Sequence, residues 1–80
     1  MKNYILDNIH PEPNSGCWLW ARSVSRTGYG WATCNGKPRA AHRVSYECFK
    51  GDIPANFEID HICRVRCCVN PAHLDAVSHA

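Results

Sequence analysis

The sequence predicts one small α+β domain whose fold is held together by a bound metal ion. Its 80 residues allow only a modest hydrophobic core, because a chain of this size buries about 60% of the surface that it exposes when unfolded. Six cysteines and five histidines supply ligands for a compensating metal site. Short apolar and alternating segments predict antiparallel strands, and one segment of helix-favouring composition predicts a helix.

The first half of the chain has the pattern of a small antiparallel sheet. Residues 17–21 are apolar and aromatic, and residues 29–34 form a second such segment after a polar loop. Asn35 and Gly36 then provide a dipeptide that favours a tight hairpin turn, which returns the chain into a third strand at residues 37–41. We expect these three segments to form one sheet.

The residues before this sheet are expected to be an irregular lead-in. Residues 1–13 run into a stretch rich in proline and other turn formers, which cannot continue a helix or a central strand. We therefore divide the chain into a lead-in at residues 1–13 and a single domain at residues 14–80.

The second half should contain one helix and a pair of strands. Residues 42–50 have good helix composition and place Val44 and Cys48, four positions apart, on the side expected to be buried. Residues 57–62 alternate between apolar and polar side chains, as a half-buried strand does, and residues 75–77 are the candidate partner strand.

Positive charge is concentrated in the first half of the chain, although the formal net charge is only +2. No aspartate or glutamate lies between Pro13 and Tyr46, where five basic residues fall: Arg22, Arg26, Lys37, Arg39 and Arg43. Such a bias is typical of proteins that bind a polyanion such as nucleic acid. A basic face that only contacts solvent is the alternative.

The sequence contains neither a secretory signal nor a segment of membrane-spanning length. Its first residues have no apolar core of the kind that a signal peptide requires. Six cysteines in a short chain could form three disulfides in a secreted protein. The absence of a signal, together with histidines at ligand spacing, favours a reduced, metal-binding protein of the cytoplasm instead.

Two sets of potential metal ligands alternate in the closing third of the chain. The first set contains carboxylate, imidazole and amide groups: Asp60, His61, Asn70 and His79. The second contains softer ligands that recur every five positions: Cys63, Cys68 and His73. Oxygen ligands suit a hard divalent cation with histidine beside it as a general base, whereas thiolate and imidazole suit zinc. The pattern predicts a metal-dependent enzyme whose small active site is braced by structural zinc.

These residues resemble the signature of the HNH endonucleases, the ββα-metal or His-Me finger nucleases, and best of all their zinc-containing phage and homing-type branch. The resemblance covers roughly residues 14–80. Besides Asp60 and His61, it is carried by three segments: Cys17-Trp18-Leu19-Trp20, Ala41-His42-Arg43 and Asn70-Pro71-Ala72-His73-Leu74. It implies an α+β fold, namely a small zinc-stabilised ββα-metal domain preceded by a short antiparallel hairpin and a helix.

The resemblance implies a role for each residue of the first set. His61 matches the general base that activates water, and Asp60 matches a ligand of the catalytic divalent cation, which would be Mg²⁺ or Mn²⁺. Asn70 matches the central asparagine, which holds the metal loop by hydrogen bonds. His79 matches a second cation ligand on a closing helix, for which Ser78 is a suitable N-cap.

The second set matches the structural zinc site of this branch. Cys63 and Cys68 match cysteines of the loop between the two strands, and His73 lies five residues further on. Cys17 is the candidate for the fourth ligand because it belongs to a matched segment. Cys67 is an alternative, although adjacent cysteines point apart in most backbones and so rarely bind the same ion.

Several basic side chains are candidate contacts to DNA phosphates. Arg64 and Arg66 lie beside the catalytic pair, and Arg43 could clamp a phosphate or instead pair with a carboxylate. The full candidate set is Arg43, Arg64, Arg66, Arg39 and Lys37. The three tryptophans are expected mainly in the core, with stacking on bases as the alternative.

The resemblance implies an endonuclease that hydrolyses double-stranded DNA in the cytoplasm of a bacterial host, encoded by the bacterium or by a phage. The alternative is a catalytically inactive or truncated zinc module that binds nucleic acid. In the family the last helix extends at least one turn beyond the position of His79, whereas this sequence ends at Ala80. A shortened helix would keep the zinc-bound fold and impair activity. The oligomeric state is left open, and a dimer is compatible with the sequence.

Overall fold

The computed structural model describes residues 2–78, which form small antiparallel sheets packed around two helices. The elements, in chain order, are α1 Lys2–Asp7, β1 Ile9–Pro11, β2 Trp18–Trp20, β3 Ser23–Val24, β4 Gly30–Cys34, β5 Lys37–Ala40, α2 Ala41–Phe49, β6 Phe57–His61, a 3₁₀ turn Pro71–His73 and β7 Leu74–Ser78. Within the described residues the strands form three sheets: β1–β2, β3–β4–β5 and β6–β7. The mixture confirms the α+β class.

The hairpin between β4 and β5 is where the sequence predicts it. Asn35 and Gly36 both have positive φ, 52° and 78°, which is the conformation that a tight hairpin turn requires and that asparagine and glycine tolerate best. Cys34 pairs directly with Lys37 across the turn. Residues along β4 alternate between buried and exposed, so that one face of the strand contributes to the core.

The interpretation of residues 1–13 as irregular is wrong, because this segment contains both α1 and β1. Ile5 is fully buried in the same core cluster as Trp20 and Val44. Strand β2 pairs with β1 rather than joining the β4–β5 hairpin, so the first half forms two sheets instead of one. The prediction failed because Pro11 argues against a central strand, whereas at the edge of a two-stranded sheet proline is tolerated.

Helix α2 follows β5 without a loop and connects the first half to the second. Val44 is buried in the core, as predicted, and Cys48 is half-buried against it. The buried hydroxyl of Ser45 donates a hydrogen bond to the carbonyl of Val69. The helix therefore holds the long loop that follows β6.

Strands β6 and β7 form the predicted antiparallel pair. Phe57 pairs with Ser78 and His61 pairs with Leu74, so that residues 62–73 form the connection between the strands. Ser78 is a strand residue here, and the closing helix predicted to begin beside it, with His79, lies outside the described residues. No helix within residues 2–78 has the length and apolar character needed to cross a membrane.

Gly30→Ala should destabilise the fold, because a Cβ atom at this buried position would lie 2.7 Å from Cδ1 of the Trp20 ring. Overpacking of this kind costs about 1–3 kcal/mol of unfolding free energy. Urea denaturation of the zinc-loaded protein measures it, with Thr33→Ala at an exposed position of the same strand as the control. Equal stability of the two variants would contradict the close packing of Gly30 on Trp20.

Candidate metal centre and catalytic pocket

Three cysteines and one histidine converge on one point of the structure. The ligand atoms of Cys17, Cys63, Cys68 and His73 all lie within 4.8 Å of one another. The sulfur atoms of Cys17 and Cys68 each lie 3.6 Å from Nδ1 of His73. A tetrahedral ion with metal–ligand bonds of about 2.0–2.3 Å separates its ligands by about 3.5–3.8 Å. The group can therefore hold a metal ion such as zinc.

Strand β2 brings Cys17 to the other three ligands. The strand pairs with the loop that follows β6, through a bridge between Leu19 and Cys68. On either side of the bridge, Trp20 N–H donates to the Cys67 carbonyl at 2.9 Å and Val69 N–H donates to a β2 carbonyl at 2.8 Å. Cys17 stands directly before this paired segment and is thereby fixed beside Cys68.

Cys67 lies outside the ligand cluster. Its side chain packs against the hydrophobic core while its neighbour Cys68 is fully buried at the cluster. Cys67 lies in the turn that the hydrogen bond from Cys68 N–H to the Val65 carbonyl closes, whereas Cys68 is the residue that pairs with Leu19. All six cysteines of the chain are free thiols in the structure.

The surroundings of the ligand cluster disfavour an isolated thiolate at Cys68. Burial raises the pKa of the Cys68 thiol to about 12, and the neighbouring thiols of Cys17 and Cys63 act in the same direction. The Cys68 thiol would therefore stay protonated without a compensating cation. A bound dication supplies that compensation, since coordinated thiols lose their protons.

Asn70 holds the turn that carries His73. Its side-chain oxygen accepts a hydrogen bond from the Ala72 N–H at 2.9 Å, and its amide nitrogen donates to the Gly16 carbonyl at 2.6 Å. The first bond caps the 3₁₀ turn, which Pro71 begins with the φ that a helix start requires. The second bond connects the turn to the residue that precedes Cys17.

A cavity of about 300 Å³ opens at the end of β6, next to the ligand cluster. It is lined by an aromatic ring, a carboxylate, an imidazole and two guanidinium groups: Tyr29, Asp60, His61, Arg64 and Arg66. Asp60 is exposed and His61 half-buried, as expected for successive residues of a strand. Both reach this cavity because the strand ends at His61. We call it the catalytic pocket after the roles that the sequence predicts for these two residues.

His61 packs against two further rings. Its centroid lies 4.7 Å from that of His42 and 5.9 Å from that of Tyr29. Burial lowers the pKa of His61, while the backbone of Cys68 and the charge of Asp60 oppose the shift. Nε2 of His61 and Nδ1 of His42 are buried without a hydrogen-bond partner in the described part of the chain. Burial also lowers the pKa of His42 to about 4.

A family model described as HNH endonuclease matches residues 39–80, just over half of the chain. The protein belongs to the HNH endonuclease family. The chain is also similar to the uncharacterized gene 5.3 protein of Enterobacteria phage T3, with 50% identity over 36 residues. That match covers 45% of this chain and only 36% of the phage protein. No solved structure matches the chain.

The arginines of the HNH domain are not equivalent. Arg64 is exposed at the catalytic pocket, in a left-handed conformation with φ of 61°. Arg66 donates a hydrogen bond to the Thr27 carbonyl at 2.7 Å and lies 5.5 Å from the Tyr29 ring. Arg39 is 2.6 Å from a carboxylate oxygen of Glu47. Of these three, Arg64 is therefore the freest to bind a ligand in the pocket.

The other residues predicted to bind DNA or the cation lie apart from the catalytic pocket or outside the described residues. Arg43, on α2, lines a neighbouring groove rather than the pocket itself. Lys37 is exposed at the start of β5 and lines neither cavity. His79, the predicted second ligand of the cation, lies outside the described residues.

Sequence reasoning missed two side chains at this site. His42 was not among the predicted site residues, although it belongs to the Ala41-His42-Arg43 segment that could have identified it. No sequence pattern identifies Tyr29 as a site residue. It reaches the pocket only because the chain turns at Gly28, which has a φ of 91°. A contact between a loop residue and β6, more than 30 positions later, is a product of tertiary packing.

Cys68→Ser should abolish tight metal binding, and Cys67→Ser should not. The two residues are adjacent, but only Cys68 belongs to the ligand cluster. The purified wild-type protein should contain about one zinc ion per chain, measured by elemental analysis together with a count of reactive thiols. Retention of zinc by both variants, or its loss from both, would contradict the assignment of these ligands.

Proposed function

We propose that this HNH protein is a DNA endonuclease that hydrolyses phosphodiester bonds with water activated by His61. One observation carries the proposal: Asp60 and His61 line the same small cavity as two arginines, directly beside a cluster of metal ligands. A base, an oxygen ligand for a cation and groups that bind phosphate are what hydrolysis of a phosphodiester requires.

His61 has the properties of a general base for this reaction. An imidazole has an ordinary pKa near 6.5, so that a neutral form is available at working pH. The imidazole would take a proton from water as the water oxygen forms a bond to phosphorus. The bond from phosphorus to the 3′-oxygen then breaks, and the 3′-oxygen leaves with the electron pair.

Asp60 fits the role of ligand to a catalytic divalent cation. Its carboxylate is exposed at the pocket, and carboxylate oxygen is a preferred ligand of Mg²⁺ and Mn²⁺. When bound, the cation would neutralise the charge that develops on the phosphate and on the leaving oxygen. We assign His79 as a second ligand on the family resemblance alone.

The remaining residues would bind the substrate and brace the site. Arg64 would bind a phosphate beside the scissile bond, with Arg66 held nearby by its contacts to the loop of Thr27. Asn70 would keep the loop in shape through its two hydrogen bonds. The Cys₃His cluster would hold structural zinc, because four protein ligands leave no position open for substrate.

We further infer the substrate of this reaction, the domain that performs it and the compartment in which it takes place. Double-stranded DNA is the proposed substrate, and residues 14–80 are the proposed nuclease domain. Free thiols at all six cysteines and a phage relative support action in the cytoplasm of a bacterial host.

His61→Ala should lower the rate of plasmid nicking by about 10²–10⁴-fold, the usual loss when a general base is removed. Supercoiled plasmid is incubated with zinc-loaded protein and Mg²⁺ or Mn²⁺, and nicked product is measured on gels. His10→Ala, at an exposed histidine on β1, is the matched control and should nick like wild type. Equal nicking by His61→Ala and wild type would instead favour a zinc module that only binds nucleic acid.

A further inference from the structure

A second cavity lies directly beside the catalytic pocket. It has a volume of about 330 Å³, and we call it the side groove. Its lining combines aromatic, basic, acidic and small apolar side chains: Tyr29, Trp31, Ala40, His42, Arg43, Glu58 and Ile59. Tyr29 lines both cavities. His42 of the side groove and His61 of the catalytic pocket have ring centroids only 4.7 Å apart. A strand of nucleic acid bound in one cavity would therefore continue into the other.

Trp31 gives the side groove an exposed aromatic surface. Its side chain is 40% exposed, and it is the only aromatic among the large apolar residues of the described chain that are this exposed. The residue is nonetheless fixed, because its carbonyl accepts a hydrogen bond from Nε1 of the buried Trp20 at 2.9 Å. Ala40 pairs with Trp31 across β4 and β5, and its methyl group leaves open the space next to the indole.

Arg43 supplies a positive charge whose partner is not found in residues 2–78. Arg39 pairs with Glu47 and Arg66 bonds to Thr27, whereas Arg43 makes no hydrogen bond or ion pair with the described chain. It is half-buried, so its charge is less well hydrated than that of a fully exposed arginine. An anionic ligand in the groove would satisfy it.

We propose that the side groove binds one unpaired nucleotide of the DNA strand, next to the scissile phosphate. Its base would stack on Trp31 and its phosphate would contact Arg43. Stacking on an exposed ring and a guanidinium near the backbone are the two elements by which proteins bind single-stranded nucleic acid. This inference rests on the proposed nuclease function.

The proposal requires a substrate in which at least one base is unpaired, a condition that a uniform double-stranded DNA does not meet. In an intact duplex, neighbouring bases cover both faces of each base, so a base must leave the stack before it can lie on Trp31. The protein should therefore prefer single-stranded DNA, or duplex with a base already unpaired, over a uniform duplex.

The first test compares variants of Trp31 in binding to an oligothymidylate of about 12 nucleotides. Zinc-loaded full-length protein is used in the His61→Ala background with Ca²⁺, and binding is followed by fluorescence anisotropy. Trp31→Ala should bind about 5- to 100-fold more weakly, and Trp31→Phe, which keeps a ring, should recover most of the affinity. Leu6→Ala, at a site 46% exposed and outside both cavities, should bind like its parent.

The second test uses a duplex with a single unpaired base and the matching uniform duplex. The parent protein should prefer the first, and Trp31→Ala should lose most of that preference. Arg43→Gln should weaken binding to both DNAs and reduce the dependence of the binding constant on salt.

Two results would overturn the proposal: equal oligothymidylate affinity of Trp31→Ala and its parent, or equal affinity of the parent for the two duplexes. Either result would leave the nicking difference between wild type and His61→Ala intact. Conversely, stacking on Trp31 without any nicking would contradict the nuclease function and not the groove. Bound zinc confirms that each variant is folded.

Discussion

The antiparallel contact between β2 and the loop after β6 is the interaction on which the rest of the structure depends. It places Cys17 beside three ligands, of which His73 lies 56 positions later in the chain. Closing so long a loop costs conformational entropy, which a small core offsets poorly and a bound metal offsets well. Trp20 of β2 and Val44 of α2 belong to the hydrophobic core together with Ile5, so that the core also fixes the strand that directly follows Cys17.

The same loop shapes the catalytic pocket. His61 ends β6 and Cys63 follows two residues later, while Ile62 N–H donates to the His73 carbonyl at 2.8 Å. The histidine proposed as base is therefore followed directly by a residue that bonds to His73, and then by Cys63, both of the ligand cluster. Its other neighbours, His42 and Tyr29, come from elements that the core fixes. Metal binding should consequently support the geometry of the pocket, together with the pairing of β6 with β7 and the hydrogen bonds that join the loop to β2 and α2.

Sequence reasoning succeeded where the signal is local and failed where packing decides. The turn at Asn35 and Gly36 depends on positive φ at two adjacent residues, which is a local property. Cys63, Cys68 and His73 likewise lie within one loop, the connection between β6 and β7. The lead-in was predicted to be irregular because of its prolines. Its helix is stabilised by burial of Ile5, which depends on contacts with residues distant in the sequence. The position of Tyr29 at the pocket could not be predicted for the same reason. His79 and the closing helix stay predictions.

The positive charge of the first half overstates the surface available to DNA. Arg39 is engaged by Glu47, and Arg22 both donates to the side chain of Asn8 and lies over the Tyr4 ring, so these guanidinium groups hold the protein together. Arg43 and Arg64 have no such partner in the described chain, and they line the two adjoining cavities. Charge alone therefore predicts a broad basic face, whereas the two cavities themselves are lined by only a short track of arginine side chains. A track of this length suits a few nucleotides of one strand, which is why the side groove and the catalytic pocket are best understood as parts of one site.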